Sequence, residues 1–350
     1  MPNFNGTLRS NEIFSALFNM IISQQVFADN IKGTYSTLVD KARVDGTLYG
    51  DTKLYYATDA LESYAWENDA EASNLLELNR PEAPECQAIV IDKFRQIRLT
   101  VDDYLSKRAW GTEGAFSSFN SIMKGWIRDT KKIYDSTLYN AYIGTAVAEG
   151  EGQNKTLSLV ADVNDGLQYA EFLANLLVEL KDVSRDFNDY GYIRSYDEKD
   201  LMVVWNAKFY NSIKKIDLPV IFHNEGLVSE FDQEVLPARY FGEVNEAPTT
   251  GTAEGEIRSL IEQTINGHHY FPGDSIKAGD QAPAGTSYTE AQDIAFKVIH
   301  KRSVPYMSAF EVGTSFFNPR SLTTNHYLTF GHNTIEYLKN YPFITVKVSG

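Results

Sequence analysis

Residues 116–145 read FSSFNSIMKGWIRDTKKIYDSTLYNAYIGT. Apolar side chains recur there in steps of three and four: Phe116, Phe119, Met123, Trp126/Ile127, Ile133/Tyr134, Leu138 and Ala141/Tyr142. That spacing places them on one face of an α-helix. Thr112 is positioned to cap the start and Gly144 stands near the end, so the pattern predicts a helix over 112–147. At 1.5 Å per residue it is about 54 Å long, well beyond the common globular length. Gly125 lies inside it at a cost of about 1 kcal/mol relative to alanine and marks the expected place for a bend or break. Proline usage permits such length: none occurs from Glu85 to Leu218, and eight of the eleven lie at Pro219 or later.

Upstream, Ile89 and Ile91, then Ile97, Leu99 and Val101, alternate with polar residues and predict strands, or one bent strand. Tyr49, Tyr55, Tyr56, Tyr64 and Trp66, set around Gly46, Gly50 and Asp51, predict a β-hairpin over 43–66. Ile13, Phe14, Leu17, Phe18 and Ile21 predict a helix within 10–31, capped by Ser10 or Asn11. It either docks on its own domain or forms an arm on a neighbouring subunit. Downstream, 148–155 reads as a linker, followed by a strand at Leu157, Leu159 and Ala161 and a helix capped near Asn164. Leu201 to Trp205 reads as a buried strand and Ala207 to Lys215 as a helix. Seven glycines and three prolines predict loops over 242–287. Ile294, Phe296 and Val298, and later Ile344, Val346 and Val348, predict two more strands. Strands and helices do not alternate regularly, which favours an α+β fold over a doubly wound sheet.

The 350 residues are 43% hydrophobic and 23% charged, ordinary for a globular chain that builds its own core. A net charge of −15 argues against a protein whose work is gripping nucleic-acid phosphates. The single cysteine, Cys86, excludes an intrachain disulfide and a cysteine-rich zinc site, and acidic neighbours such as Glu85 make it an inert thiol. No GxGxxG, GxxxxGK[ST] or GxSxG pattern occurs. Of six histidines only His268 and His269 are adjacent, and strand neighbours point to opposite faces, a poor geometry for metal. Asp102-Asp103 is one of many acidic pairs that 47 acids supply by chance. The expectation is therefore a protein that is not an enzyme, with no catalytic, cofactor-binding or metal-binding residues. The opening MPNFNGTLRSNE has no basic leader or small-residue cleavage site, and Ile13–Ile22 is too short to span a bilayer. Asn154-Lys155-Thr156 reads as a chance sequon in a chain expected to fold in a cytoplasm.

The charges are not evenly spread. Asp59 to Asp92 holds nine acids and one base, Arg80, for a local charge of −8. Lys93 to Lys132 holds nine bases and four acids, for +5. Lys124, Arg128 and Lys131/Lys132 line one side of the long helix. Abutting segments of opposite sign either pair within one subunit or fix the register of a head-to-tail contact, which generates rings or arrays.

Beside the long helix and the aromatic 43–66 segment stand IRLTVDDYLSKRAW (97–110), DLMVVWNAKFYNSIKKIDLPVIFHNEGL (200–227) and VPYMSAFEVGTSFFNPRSLTTNHYLTFGH (304–332). In this order, over nearly the whole chain, the sequence resembles tailed-bacteriophage major capsid proteins of the Hong Kong 97-like fold. The resemblance implies an N-terminal arm (1–35), an extended loop reaching over an adjacent subunit (36–92) and an axial domain (150–304). It also implies a peripheral domain (93–149 and 305–350), with the long helix as spine and the C-terminal strand completing it. It implies a subunit that assembles into the icosahedral or prolate shell around a double-stranded DNA genome, as pentamers and hexamers of itself. The subunit would have no cofactor, no sequence-specific DNA contact and no membrane partner. Separate scaffolding, portal and decoration proteins are the expected partners, and the location is the virion, after assembly in the host bacterial cytoplasm. An acidic inner wall would let the genome slide during packaging. The expected inter-subunit residues are Tyr55, Tyr56, Tyr64 and Trp66 on the acidic loop and Lys124, Arg128, Lys131 and Lys132 on the basic helix. The alternatives are an acidic, aromatic-rich glycosidase, with two carboxylates across a cleft, or a tail-tube or surface-layer subunit.

Overall fold

The structure, a computed structural model, describes residues 38–45, 52–61, 63–64, 78, 80–102, 113–145, 152–161, 164–214, 232–246, 263–265, 268–270, 286–290, 293–333 and 335–349. The expected helix within 10–31, Trp66 and much of 242–287 lie outside the described residues.

A short helix, α1 (Leu38–Lys41), leads into strands β1 (Arg43–Asp45), β2 (Thr52–Ala57) and β3 (Glu85–Asp102). The long helix α2 spans Glu113–Thr145, within two residues of the expected limits. It runs unbroken through Gly125, where an added Cβ would meet nothing within 4 Å. The propensity cost of that one glycine is small against the packing of the rest of the helix. Strand β4 (Gln153–Ser158) and helix α3 (Asp165–Lys181) follow, with the Asn164 side chain accepting from the Gly166 N–H at 3.0 Å as the cap. Next come β5 (Leu201–Asn206), helix α4 (Ala207–Lys214) and β6 (Asp232–Leu236). Beyond them lie β7 (Gly242–Glu246), β8 (Gln263–Ile265), β9 (His268–Tyr270) and β10 (Thr286–Glu290). The last four strands are β11 (Ile294–His300), β12 (Tyr306–Asn318), β13 (Thr323–Asn333) and β14 (Phe343–Ser349).

The chain divides into two compact units. One holds residues 36–93, 136–309 and 331–350 and is built on a five-stranded sheet in the order β4-β14-β11-β5-β6. The runs LMVVWN of β5 and IAFKVIH of β11 are buried at every position, because both strands lie inside the sheet and are covered on both faces. Leu173, Leu176, Leu177 and Leu180 of α3 pack into one core cluster with Val203, Trp205, Phe296, Val298 and Ile344. Each such leucine contributes about 1.5–3 kcal/mol relative to an exposed one. The end of α2 belongs to this unit. Buried Tyr139 donates its hydroxyl to the Val304 carbonyl at 3.0 Å, and Gly144 lies so close to Tyr240 that a Cβ would overlap its carbonyl group.

The other unit holds, among the described residues, those within 94–135 and 310–330. Its parts are tied by polar and aromatic contacts. Gln96 Nε2 donates to Thr329 Oγ1 at 3.1 Å and Thr100 Oγ1 to Asn325 Oδ1 at 2.7 Å. The Tyr134 ring stands edge-on to Phe330 at 5.6 Å, with the Arg95 guanidinium 5.4 Å from the Tyr134 ring centre.

Three expectations change. Residues 43–66 are not a hairpin: β1 pairs in parallel with β12, and β2 pairs antiparallel with β3, from Thr52↔Val90 to Ala57↔Glu85. The tyrosines mark strand but carry no information about the partner, which lies 27 residues further along the chain. Residues 242–287 contain strands as well as loops, since β7 pairs with β10 and β8 with β9, both antiparallel. Glycine-rich connections hid these short ribbons. The last strand, β14, which the resemblance gives to the peripheral domain, is hydrogen-bonded between β4 and β11. Its apolar residues Ile344 and Val346 find their buried partners in that sheet. Among the described residues, no helix is long and apolar enough to cross a membrane.

Candidate functional site

The β2–β3 ribbon has two chemically different faces. Period-two geometry puts Tyr55 with Gln87 and Ile89 on one side and Leu54, Tyr56, Cys86, Ala88 and Val90 on the other. The first side is fastened to its own chain. Ile89 and Ile91 are buried against Met307 and Leu338, with Tyr55 packed beside them. Gln87 Nε2 donates to the Tyr337 carbonyl at 2.9 Å, and its Oε1 accepts from the Lys339 N–H at 3.1 Å. Burial, and then the neighbouring Tyr341, push the Tyr55 phenol up from its ordinary value. The second side is open and apolar: Leu54 is 52% exposed, Tyr56 64% and Val90 38%, and Cys86 and Ala88 are exposed between them.

The expected site residues therefore separate. Tyr56 and Tyr64 are exposed, Tyr64 to 73%. Tyr55 is half-buried on the inward face, turned away from the open side. On α2, Arg128 and Lys132 are exposed, whereas the Lys124 side chain lies outside the described residues. Lys131 departs from the expected basic face. It is 6% exposed, its Nζ sits 2.9 Å from Asp135 Oδ2, and it lies 5.2 Å from the Phe330 ring centre. The helix repeat explains this: Ile127, Lys131 and Asp135 share an inward row at i, i+4 and i+8, while Arg128 and Lys132 lie on an outer row. The row was visible in the sequence, because Lys131 falls between the apolar positions 127, 134 and 138.

The acidic segment is also partly committed within its own chain. Asp59 pairs with Arg185 at 2.6 Å, and its carboxyl is lowered to about 2, first by the Ile193 N–H and then by Arg185. Glu82 and Glu85 are exposed. Elsewhere, Asp232 on β6 takes Lys301 at 2.9 Å and Lys41 at 3.7 Å, and these cations hold its carboxyl low.

A polar cavity of about 300 Å³ lies beside α3, lined by Lys181, Arg194, Tyr196, Asp200, His300 and Tyr341, among others. His300 stacks on Tyr341 with ring centres 4.3 Å apart, and its Nδ1 accepts from the Arg302 N–H at 3.0 Å. Burial pushes its pKa down to about 4. The ring is thus a neutral packing element with one nitrogen already occupied. Among the described residues, no three metal-ligating side chains converge.

A capsid structure of Staphylococcus phage Andhra superposes with a TM-score of 0.65 at 11% identity, over 100% of this chain and 88% of that one. A chain from the structure of the head fibre and inner core protein of native bacteriophage P68 gives 0.64 at 10% identity, over 99% and 88%. The capsid of cyanophage P-SCSP1u gives 0.50 at 11% identity, over 100% and 97%. At such identities the likeness is one of fold, the Hong Kong 97-like capsid fold. A search of curated proteins finds no match. The model of the Phi29-like phage major capsid protein family matches residues 6–346, and the chain belongs to that family, a major capsid protein that self-assembles into the shell of the phage virion.

Proposed function

We propose that β2, β3 and the residues between them form the extended loop of the shell subunit, and that the loop lays its open face on a neighbouring copy. The observation that carries this reading is the two-faced ribbon: Tyr55, Gln87 and Ile89 hold one side down while Leu54, Tyr56 and Val90 leave the other uncovered. An aromatic such as Tyr56 or Tyr64 covers about 150–250 Å² when buried, enough to anchor an interface at low entropic cost. The exposed Glu82, just before β3, suits the exposed Arg128 and Lys132 of the adjoining copy.

In the same reading α2 is the spine of a peripheral domain (93–149 and 305–342), residues 150–304 together with β14 form the axial domain, and 1–35 is an arm. The contribution of β14 to the sheet of β4 and β11 ties the end of the chain to that axial domain. The shell is icosahedral or prolate, encloses double-stranded DNA without reading its sequence, and is assembled in the host cytoplasm with separate scaffolding, portal and decoration proteins. The subunit has no catalytic activity. In support, the acids Asp59 and Asp232 are engaged by cations, and His300 is a packed ring.

Cys86 tests the docking, because it is the chain's single cysteine and lies on the open face. Maleimide labelling of unassembled subunit and of purified particles should differ by about tenfold or more, with the particle thiol protected by the neighbouring copy. Equal rates would remove the open face from the interface.

A further inference from the structure

The chain is held unusually firmly just beyond β2, in a way that strand pairing does not require. Asp59 Oδ1 accepts from the Ile193 N–H at 2.9 Å and from the Ala60 N–H at 2.8 Å, while Oδ2 accepts from Arg185 Nη1 at 2.6 Å. The same Arg185 nitrogen donates to the Gly191 carbonyl at 2.7 Å. Arg194 reaches the preceding residue: Nη2 donates to the Thr58 carbonyl at 2.6 Å, Nη1 to the Ile193 carbonyl at 2.9 Å, and Nε to Asn340 Oδ1 at 3.1 Å. Its guanidinium lies 5.5 Å from the Tyr192 ring centre. Two arginines and one main-chain N–H therefore grip two consecutive residues, 58 and 59, and Asp59 in turn holds the Ala60 N–H.

The receiving turn is itself fixed. Ser184 and Arg194 exchange both main-chain hydrogen bonds, at 3.0 and 2.9 Å. The Asn188 side chain brackets Tyr192, donating to its carbonyl at 2.7 Å and accepting from its N–H at 2.8 Å. Gly191 adopts φ +68°, a conformation other residues take at a cost. A preformed turn that clamps a chain end in this way fixes direction, because bidentate and multiple charge-assisted hydrogen bonds are geometrically selective. The strand pairing ends at Ala57↔Glu85, so without this grip the outgoing chain would have no fixed heading at residue 58.

We infer that Asp59, Arg185 and Arg194 form a latch that sets the direction in which the chain leaves the subunit after Ala60, and thereby registers the extended loop on the neighbouring copy. The inference rests on the extended-loop reading above. In it Asp59 is a positioning residue, withdrawn from the acidic surface that meets the next subunit. The latch is separate from the ribbon's docking face, since none of its residues lies on β2 or β3.

The test uses the full chain with Asp59→Ala, Asp59→Glu, Arg185→Ala and the Asp59→Ala/Arg185→Ala double variant. Three quantities are followed: amide exchange at Ile193 and Ala60, the melting temperature of the unassembled subunit, and the yield and diameter of closed shells. In Asp59→Ala, exchange at Ile193 should rise about tenfold as its acceptor is lost, and closed shells should fall by a similar factor or give way to misshapen particles. The melting temperature should stay near wild type, Asp59→Glu should restore part of the yield, and the double variant should be no worse than either single one. Wild-type yield and diameter in Asp59→Ala would overturn the latch. So would a loss of yield that simply follows a lower melting temperature, because that marks a contact serving stability alone. Cys86 labelling of wild-type shells, run in parallel, reports on the extended-loop reading by itself: equal labelling there defeats that reading, whereas protected Cys86 with unaffected Asp59→Ala shells defeats only the latch.

Discussion

His300 should make the unassembled subunit sensitive to mild acid, and the size of the effect follows from its surroundings. The ring sits at the end of β11, stacked on Tyr341 and edge-on to Tyr196, with Nδ1 accepting from the Arg302 N–H. Burial is the main cause that holds its pKa near 4 instead of 6.5; Asp200 opposes the shift, and Arg302 and Lys301 reinforce it. A histidine whose folded pKa is depressed favours the folded state only while it is neutral. Above pH 6.5 that contribution is complete; as pH falls from 6.5 towards 4 the unfolded chain takes up the proton first and stability is lost; below 4 the loss stops growing. At about 1.4 kcal/mol per pH unit, the interval from 6.5 to about 4 corresponds to about 3 kcal/mol. That is a large share of the roughly 5–15 kcal/mol that holds a typical domain together. His300→Phe keeps a ring against Tyr341 and removes the titration. It should cost about 1 kcal/mol at neutral pH, where the Arg302 N–H loses its acceptor. Its stability should then fall less steeply than that of wild type on acidification. Urea unfolding followed by tryptophan fluorescence, repeated at several pH values between 7 and 4.5, measures both slopes. Parallel pH profiles for the two proteins would refute the assignment.

On α2, Lys131→Ala should destabilise the subunit by about 3–5 kcal/mol in urea titrations, because it removes the cation paired with the buried Asp135 carboxylate. By contrast, the paired reversal Arg128→Glu/Lys132→Glu, on the exposed row, should leave unfolding within about 0.5 kcal/mol of wild type and lower particle yield instead. If Lys131→Ala proves harmless to folding, the inward row is wrongly assigned. Gly144→Ala should cost about 3 kcal/mol or more, or prevent soluble expression, since the new Cβ would overlap the Tyr240 main chain rather than a movable side chain; a wild-type melting curve for this variant would contradict the close approach.

How far the sequence carries depends on which physical signal each element leaves. Helix α2 repeats its apolar face over about nine turns, so period and length agree and the limits come out within two residues. Helix α3 and strands β5, β11 and β14 are equally legible, because one dense apolar core supplies all of them. Strand β12 is not, since residues 312–317 are exposed at every position and no in–out alternation exists to be read. Pairing is harder still: Tyr55 and Tyr56 announce a strand, but the choice of β3 as partner is made by Ile89 and Ile91 meeting Met307 and Leu338, residues about 220 or more positions away. The assembly surface left no motif at all. Catalytic chemistry needs particular groups at particular spacings, whereas self-association needs only area and complementary charge, which many sequences supply. Family likeness therefore carried the function, while the helical row at 127, 131 and 135 could have removed Lys131 from the basic face beforehand.

A shell subunit faces two opposed physical demands, and the residues around β2 separate them. It must fold alone, which favours burying every apolar side chain, yet it must keep apolar area uncovered for the next copy. The ribbon answers by alternation: Ile89 and Ile91 belong to the fold, and Leu54, Tyr56 and Val90 stay exposed on the proposed docking face. Because the two sets occupy opposite faces of the same strands, a one-residue slip in register would exchange them, burying the docking face and exposing the core. Register at the ribbon is consequently under selection from folding and assembly at once. Gln87 holds it from the inner face by gripping the main chain at Tyr337 and Lys339, and Asp59 holds it from the end. In the proposed docking, charge on this segment then serves two purposes that distance separates: Asp59, just past β2, fixes the chain to its own turn, and an exposed acid such as Glu82 remains for a partner's cations.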